Sequence, residues 1–231
     1  MVLLADLVAT STTVAGTRSR RSKVEALAEL LHRLDPNEVA PAVGFLVGVP
    51  RQGRIGVGWR TAVKIDVPPA DTPSLTLLDL DEALAALAAT AGAGSVAERA
   101  RLLEHLLALS TEAEAEFVRS LLTGGLRQGA LAGVMTDAVA RAAGVSLDVL
   151  RRAAMLSGDL GATATRALHG GADSLAAVRL TVLSPIQPML AASAGNVTEA
   201  LELTGPASVE WKLDGARVQV HRSGGEVRIY T

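Results

Sequence analysis

The sequence predicts a mainly α protein: an all-helical body over residues 1–180, then a linker and the first β elements of a second domain over 181–231. Three observations carry this. Hydrophobic residues make up 49% of the 231-residue chain but aromatic ones only 2%, so the core must be assembled from many small Ala, Leu and Val contacts, as packed helices do. Apolar residues recur at helical spacing, with capping signals between the runs, as far as Val178. From Ser208 onward the pattern changes to apolar–polar alternation, the period of a strand.

Taken in order, Val24, Leu27, Leu30, Leu31 and Leu34 form a helical stripe. The run ahead of it, Thr17-Arg18-Ser19-Arg20-Arg21-Ser22-Lys23, has two open readings, a solvated helix face or a phosphate contact. Asp35 can cap the next helix, with Pro36 at its first position and Glu38 returning to the Asp35 amide. Between Gly44 and Ile65, glycines mix with Arg51, Arg54, Arg60 and Lys64. Gly53, Gly56 and Gly58 lack the strand, helix and distant acid of a dinucleotide fingerprint. A turn exposing backbone amides at a helix start, where nearby arginines help hold a phosphate oxygen, fits better. Trp59 reads as a core or interface aromatic.

Past the proline loop at Val67–Pro73, Asp79 or Asp81 can cap a helix that Gly92 and Gly94 end. Ser95–Glu98 and Thr111–Glu114 read as capping boxes for two further helices, the first carrying Leu102, Leu103, Leu106 and Leu107. His105 has no second ligand at i+4 and is assigned to packing or surface. Ser120–Ala132 reads as a helix end followed by a new start, with glycines free to take positive φ and amides free for an anion. Helices are expected at Thr136–Ala143 and Ser146–Leu156, with Asp159 as a cap rather than a catalytic acid. Pro185 and Pro188 make Leu180–Ala191 extended, and Asn196 caps a short helix ending at Gly205-Pro206.

In the last segment Val209, Trp211 and Leu213 share one strand face, and Val218, Val220, Val227 and Ile229 continue the alternation across Ser223-Gly224-Gly225. Lys212 then sits near a strand end, just before the Asp214-Gly215 bend. It is either a solvated lysine or a nucleophile; the second needs a neutral amine, hence a pocket that lowers its pKa.

The surrounding residues favour the second. Glu210-Trp211-Lys212-Leu213-Asp214-Gly215-Ala216-Arg217-Val218-Gln219-Val220-His221 resembles the adenylylation motif of ATP-dependent DNA ligases, E-[YF]-K-x-D-G-x-R-x-Q-x-H, with Trp211 in place of the commoner Tyr. The resemblance implies that Lys212 takes AMP from ATP as a phosphoamide, Glu210 meets the adenine amino group, and Arg217 meets the ribose and phosphate side. Asp214 and Gly215 would shape the turn; Gln219 and His221 are left to packing. Gly125-Leu126-Arg127-Gln128-Gly129 resembles the G-x-L-R-x-G segment of the ligase DNA-binding domain, with Gln128 where Ile or Leu is usual. The Gly44–Ile65 run resembles the same domain's L-G-[IV]-G segment, Asp159-Leu160-Gly161 its D-[LI]-G-x-x-A element, and Pro185–Ala191 the entry into the adenylylation domain. The implied duplex contacts are Arg54, Gly56, Gly58, Arg127 and Gly129.

A net charge of −2 and a pI of about 6.1 argue against indiscriminate nucleic-acid binding but allow a local basic face. With no cysteine there is no disulfide framework or thiolate metal site, which fits a reducing cytoplasm. The N-terminal run lacks a basic n-region and carries Asp6, so no signal peptide is expected, and prolines break the longest uncharged segments, so no membrane span is.

The resemblance therefore implies the N-terminal part of a nick-sealing enzyme, using ATP and Mg²⁺, with nicked double-stranded DNA as partner and a monomer as its working form. No metal ligand is assigned in this chain, since the family's metal carboxylates, later lysines and OB-fold lie downstream of the motif. On this reading the 231 residues bind DNA but do not complete nick sealing alone. Two alternatives stay open, an RNA ligase or capping enzyme with the same lysine motif, and a non-catalytic helical binding module.

Overall fold

The structure, a computed structural model, describes the whole chain except residues 54, 58–61, 63, 127–131, 188–192 and 212–213. Among the described residues the regular structure is ten helices and one two-stranded sheet.

Helix α1 (Leu4–Gly16) buries Leu4, Leu7, Val8 and Val14. Helix α2 (Arg20–Leu31) starts on the Ser19 hydroxyl, which accepts from the Ser22 amide, and buries Leu27, Leu30 and Leu31 as its stripe foretells. Helix α3 (Pro36–Val47) has the expected start: Pro36 at its first position and the Glu38 carboxylate accepting from the Asp35 amide at 2.9 Å. The other Glu38 oxygen accepts from the Val2 amide at 2.7 Å, so this buried acid also fixes the chain ahead of α1.

Helix α4 (Leu77–Ala89) corrects the expected start. Thr76 is the cap: its hydroxyl accepts from the Asp79 amide, and the Asp79 carboxylate returns to the Thr76 amide at 2.8 Å. Asp81 lies one turn inside, buried, where it has a different task. Helix α5 (Ser95–Leu109) also departs from expectation. Gly94, at φ +82°, occupies the cap position, Ser95 is already helical, and Glu98 pairs with Arg101 at 2.7 Å rather than turning back. Helix α6 (Glu112–Thr123) carries the Thr111–Glu114 box as read.

Helices α7 (Ala132–Ala143), α8 (Leu147–Ser157) and α9 (Leu160–Ala176) complete the body. Asp159 caps α9, accepting from the Ala162 amide at 2.9 Å. Gly161 lets α9 lie close on α3, since a Cβ there would meet the Ala40 carbonyl at 3.1 Å. The core, from Leu4 to Val178, is almost wholly aliphatic, with Phe45 and Phe117 as its aromatics.

Beyond it come α10 (Val197–Thr204), capped by Asn196 as expected, and the hairpin of β1 (Gln219–Ser223) and β2 (Glu226–Tyr230). Gly224-Gly225 turns it, in antiparallel register from Gln219↔Tyr230 to Ser223↔Glu226. The strand expected around Val209 and Trp211 is absent among the described residues: both are in solvent, 89% and 93% exposed. Alternation marks what a strand could bury, but β structure also needs a hydrogen-bonded neighbour, which Gln219–Ser223 and Glu226–Tyr230 supply to each other.

Candidate functional site

Two glycine turns in the body meet. Gly48 ends α3 in the left-handed region at φ +78°, and Gly124 ends α6 likewise at φ +70°. The position a Cβ would take on Gly48 lies 3.8 Å from Leu126 Cβ, so the chain leaving α3 and the chain leaving α6 are packed together. Arg119 of α6 strengthens the seam by donating to the Ala62 carbonyl at 3.3 Å and the Ile65 carbonyl at 3.1 Å. Two runs far apart in sequence, Gly44–Ile65 and Ser120–Ala132, thus meet at Gly48 and Leu126.

Within this region Gly56 has φ +74°, and a Cβ on it would stand 3.0 Å from the Arg99 guanidinium carbon. Arg99 is occupied, donating to the carbonyls of Leu87 at 3.2 Å and Thr90, where α4 ends. Gly56 is therefore a glycine because of its backbone and its neighbour. Arg51 is committed too: it grips buried Asp81 bidentately, Nε lying 2.7 and 2.9 Å from the two carboxylate oxygens, and Gln52 donates to Asp81 Oδ1 at 2.8 Å. The hydrogen bonds it donates to Asp81 hold the Arg51 guanidinium above its ordinary pKa, so it stays charged. This cluster ties the turn after α3 to α4, which removes Arg51 from the cations free to meet phosphate.

At the lysine motif, Glu210 and Arg217 are exposed. Lys212, Arg54, Gly58, Arg127 and Gly129 lie outside the described residues, as do Trp59 and Gln128. The hairpin after the motif is well bonded. The Gln219 carboxamide takes both backbone groups of Ile186, accepting from its amide at 3.0 Å and donating to its carbonyl at 2.7 Å. His221 meets Tyr230 edge to face, ring centres 5.3 Å apart, and the Tyr230 hydroxyl donates to the Leu183 carbonyl. On the other flank of the linker the Gln187 amide donates to the Met155 carbonyl at 3.0 Å and its side chain to the Gly158 carbonyl at 3.1 Å. Gly158 admits this approach: a Cβ there would fall 2.5 Å from the Pro185 carbonyl oxygen. Gln219 and His221 thus have packing work, and the hairpin bearing them is fastened to the helical body through residues 183–187.

The described residues contain no group of three or more His, Asp or Glu able to hold a metal ion, and no helix long and apolar enough to cross a membrane.

A helical body is followed in sequence by the K-x-D-G-x-R motif and then by a two-stranded hairpin. Sequence comparison agrees in both parts: residues 62–140 match the family model described as DNA ligase N terminus, and residues 188–231 that described as ATP dependent DNA ligase domain. The whole chain is similar to proteins named probable DNA ligase, at 60% identity in Pseudarthrobacter chlorophenolicus, 53% in Rhodococcus jostii and 54% in Saccharopolyspora erythraea. It belongs to the ATP-dependent DNA ligase family. The alignments cover 100% of this chain but 45%, 46% and 45% of those relatives, so it spans a little under half their length.

Proposed function

We propose that this chain serves ATP-dependent nick sealing, its helical body holding a nicked duplex by the phosphates and Lys212 receiving AMP. The neutral Lys212 amine attacks the α-phosphorus of ATP, and a P–N bond forms as the bond to pyrophosphate breaks. AMP then passes to the 5′-phosphate at the nick, and the 3′-hydroxyl displaces it, closing the phosphodiester. Glu210 receives the adenine amino group and Arg217 the ribose and phosphate, while Asp214 and Gly215 shape the bend between them. Arg54, Gly58, Arg127 and Gly129 meet the sugar–phosphate backbone, so sequence preference is weak, while Gly56, accounted for by its positive φ and by Arg99, serves the turn itself. Mg²⁺ would offset phosphate charge during adenylyl transfer, and no step here is assigned to it. The lack of cysteine suits a cytoplasmic setting, and a monomer suffices for the scheme.

The observation supporting the duplex contact is the packing of Leu126 against Gly48, which joins the chain leaving α3 to the chain leaving α6. The test is binding of the 231-residue chain to nicked and intact duplexes across a salt series. Preference for the nicked duplex, with affinity falling steeply as salt rises, is expected. Equal and salt-insensitive binding, or none, would overturn the reading.

A further inference from the structure

Arginines from three helices converge where α2, α7 and α8 pack. Arg20 of α2 donates to Asp137 of α7 at 2.9 and 2.6 Å, and its Nη2 also reaches the Gly133 carbonyl at 3.3 Å. Arg151 of α8 approaches the same carboxylate at 3.8 Å. Next along α2, Arg21 donates to Glu25 at 3.0 Å, and Arg141 of α7 lies 3.5 Å from that same oxygen.

Four guanidiniums thus share two carboxylates, on a chain whose overall charge is −2. Elsewhere the arginines of exposed pairs are matched one to one, as in Arg101 with Glu98 and Arg228 with Glu226. A network that only stapled helices together would need no such excess. The four side chains remain 59%, 84%, 54% and 56% exposed, and each guanidinium carries five N–H donors, more than two shared acids can absorb. Exposed Arg18 and Arg152 lie on the same helices or beside them and add to the excess. The carboxylates hold the arginines in place while leaving part of each fork toward solvent, an arrangement suited to a row of anions.

Position selects the anion. Gly133 opens α7, and the residues just ahead of α7 in sequence are those that hold Arg127 and Gly129. The arginines therefore reach the first turn of α7, the helix that follows in sequence the segment assigned to the duplex, which makes an extended polyanion their fitting ligand.

Resting on the duplex-binding reading above, we propose that Arg20, Arg21, Arg141 and Arg151, set in place by Asp137 and Glu25, bind the phosphate backbone of the same duplex beside the glycine turns. They extend the contact beyond the residues that the family motifs mark.

The experiment measures affinity for nicked duplex against salt for the 231-residue chain and three variants, with thermal melts recorded in parallel. R21Q/R141Q leaves the Arg20–Asp137 tie intact; it should lower the slope of log K against log salt by about 2, at about 0.9 per lost phosphate contact, and weaken binding about tenfold at low salt. E25Q releases two arginines and should tighten binding several-fold, a sign that loss of folding cannot mimic. E98Q makes the same charge change on α5 and should leave affinity unaltered. Wild-type binding with an unchanged slope in R21Q/R141Q overturns this proposal alone, as does E98Q tightening binding as much as E25Q. No binding by the wild type overturns the duplex reading and this proposal with it.

Discussion

Replacing Gly56 with alanine separates a packing role from a phosphate-facing one. At φ +74° an alanine pays the left-handed penalty of roughly 1–2 kcal/mol, offset in part by about 0.4–1 kcal/mol from a stiffer unfolded chain. The new Cβ would also lie 3.0–3.3 Å from three guanidinium atoms of Arg99, so Arg99 must shift. Shifting it weakens the bonds to the Leu87 and Thr90 carbonyls, worth roughly 1.5 kcal/mol for a partly exposed charged donor. The expected total is about 2–3 kcal/mol, or a melting point lower by roughly 4–10 °C for a chain of this size. In an Arg99→Ala background the same substitution should cost only about 1 kcal/mol, because the clash is gone. Urea and thermal denaturation of the four proteins gives the cycle. A G56A protein that melts with the wild type, or that loses as much stability without Arg99 as with it, refutes the reasoning. Duplex affinity measured well below the melting point should change little, since the glycine is explained by its own backbone and by Arg99.

Other outcomes rest on the same contacts. Arg51→Ala leaves the buried Asp81 carboxylate with Gln52 as its remaining side-chain donor and should cost about 2 kcal/mol in urea unfolding, below the usual figure for a buried pair because Arg51 is 60% exposed. Replacing both residues, as R51M/D81L, should recover most of that loss. Gln219→Leu removes two hydrogen bonds to Ile186 and should speed amide exchange across residues 219–230 while the melting point of the helical body stays put. The hydrogen bond from Arg21, aided by its charge and that of Arg141, holds the Glu25 carboxyl below its ordinary pKa. Its stabilising effect is therefore present above the unfolded-state pKa and disappears as pH falls through the lower folded one. E25Q and wild type should then differ in stability at pH 7, and the difference should shrink steadily as acid carries the solution below the ordinary glutamate range.

Where a signal binds a side chain to its own backbone, the sequence was enough. Asp35-Pro36-Asn37-Glu38, Thr111–Glu114, Asp159 and Asn196 all act locally, and each starts its helix as read. The start of α4 is misplaced by the sequence, which offers Asp79 or Asp81 as the cap where the structure has Thr76. What takes Asp81 out of contention is Arg51, thirty residues away, which no local rule sees. At α5 the rule favours Ser95, but Gly94 reaches the left-handed conformation with no steric cost and takes the position. The N-terminal run gives only a faint helical signal although Leu4, Leu7, Val8 and Val14 hold helical spacing; the Thr and Ser residues between them dilute the stripe. The lysine motif was legible as a string of residues. The seam of Gly48 with Leu126, and the grip of Arg119 on Ala62 and Ile65, join segments more than fifty residues apart and leave no trace in spacing.

Residues 183–187 are fastened on both flanks, to α8 and the start of α9 on one and to Gln219 and Tyr230 on the other. A strip held along two edges transmits a push instead of absorbing it. For the hairpin to swing relative to the helices, one of these two rows must come undone as a set. Rotation about the strip is then a choice between two defined seams, and the weaker one decides where the hairpin parts from the helices.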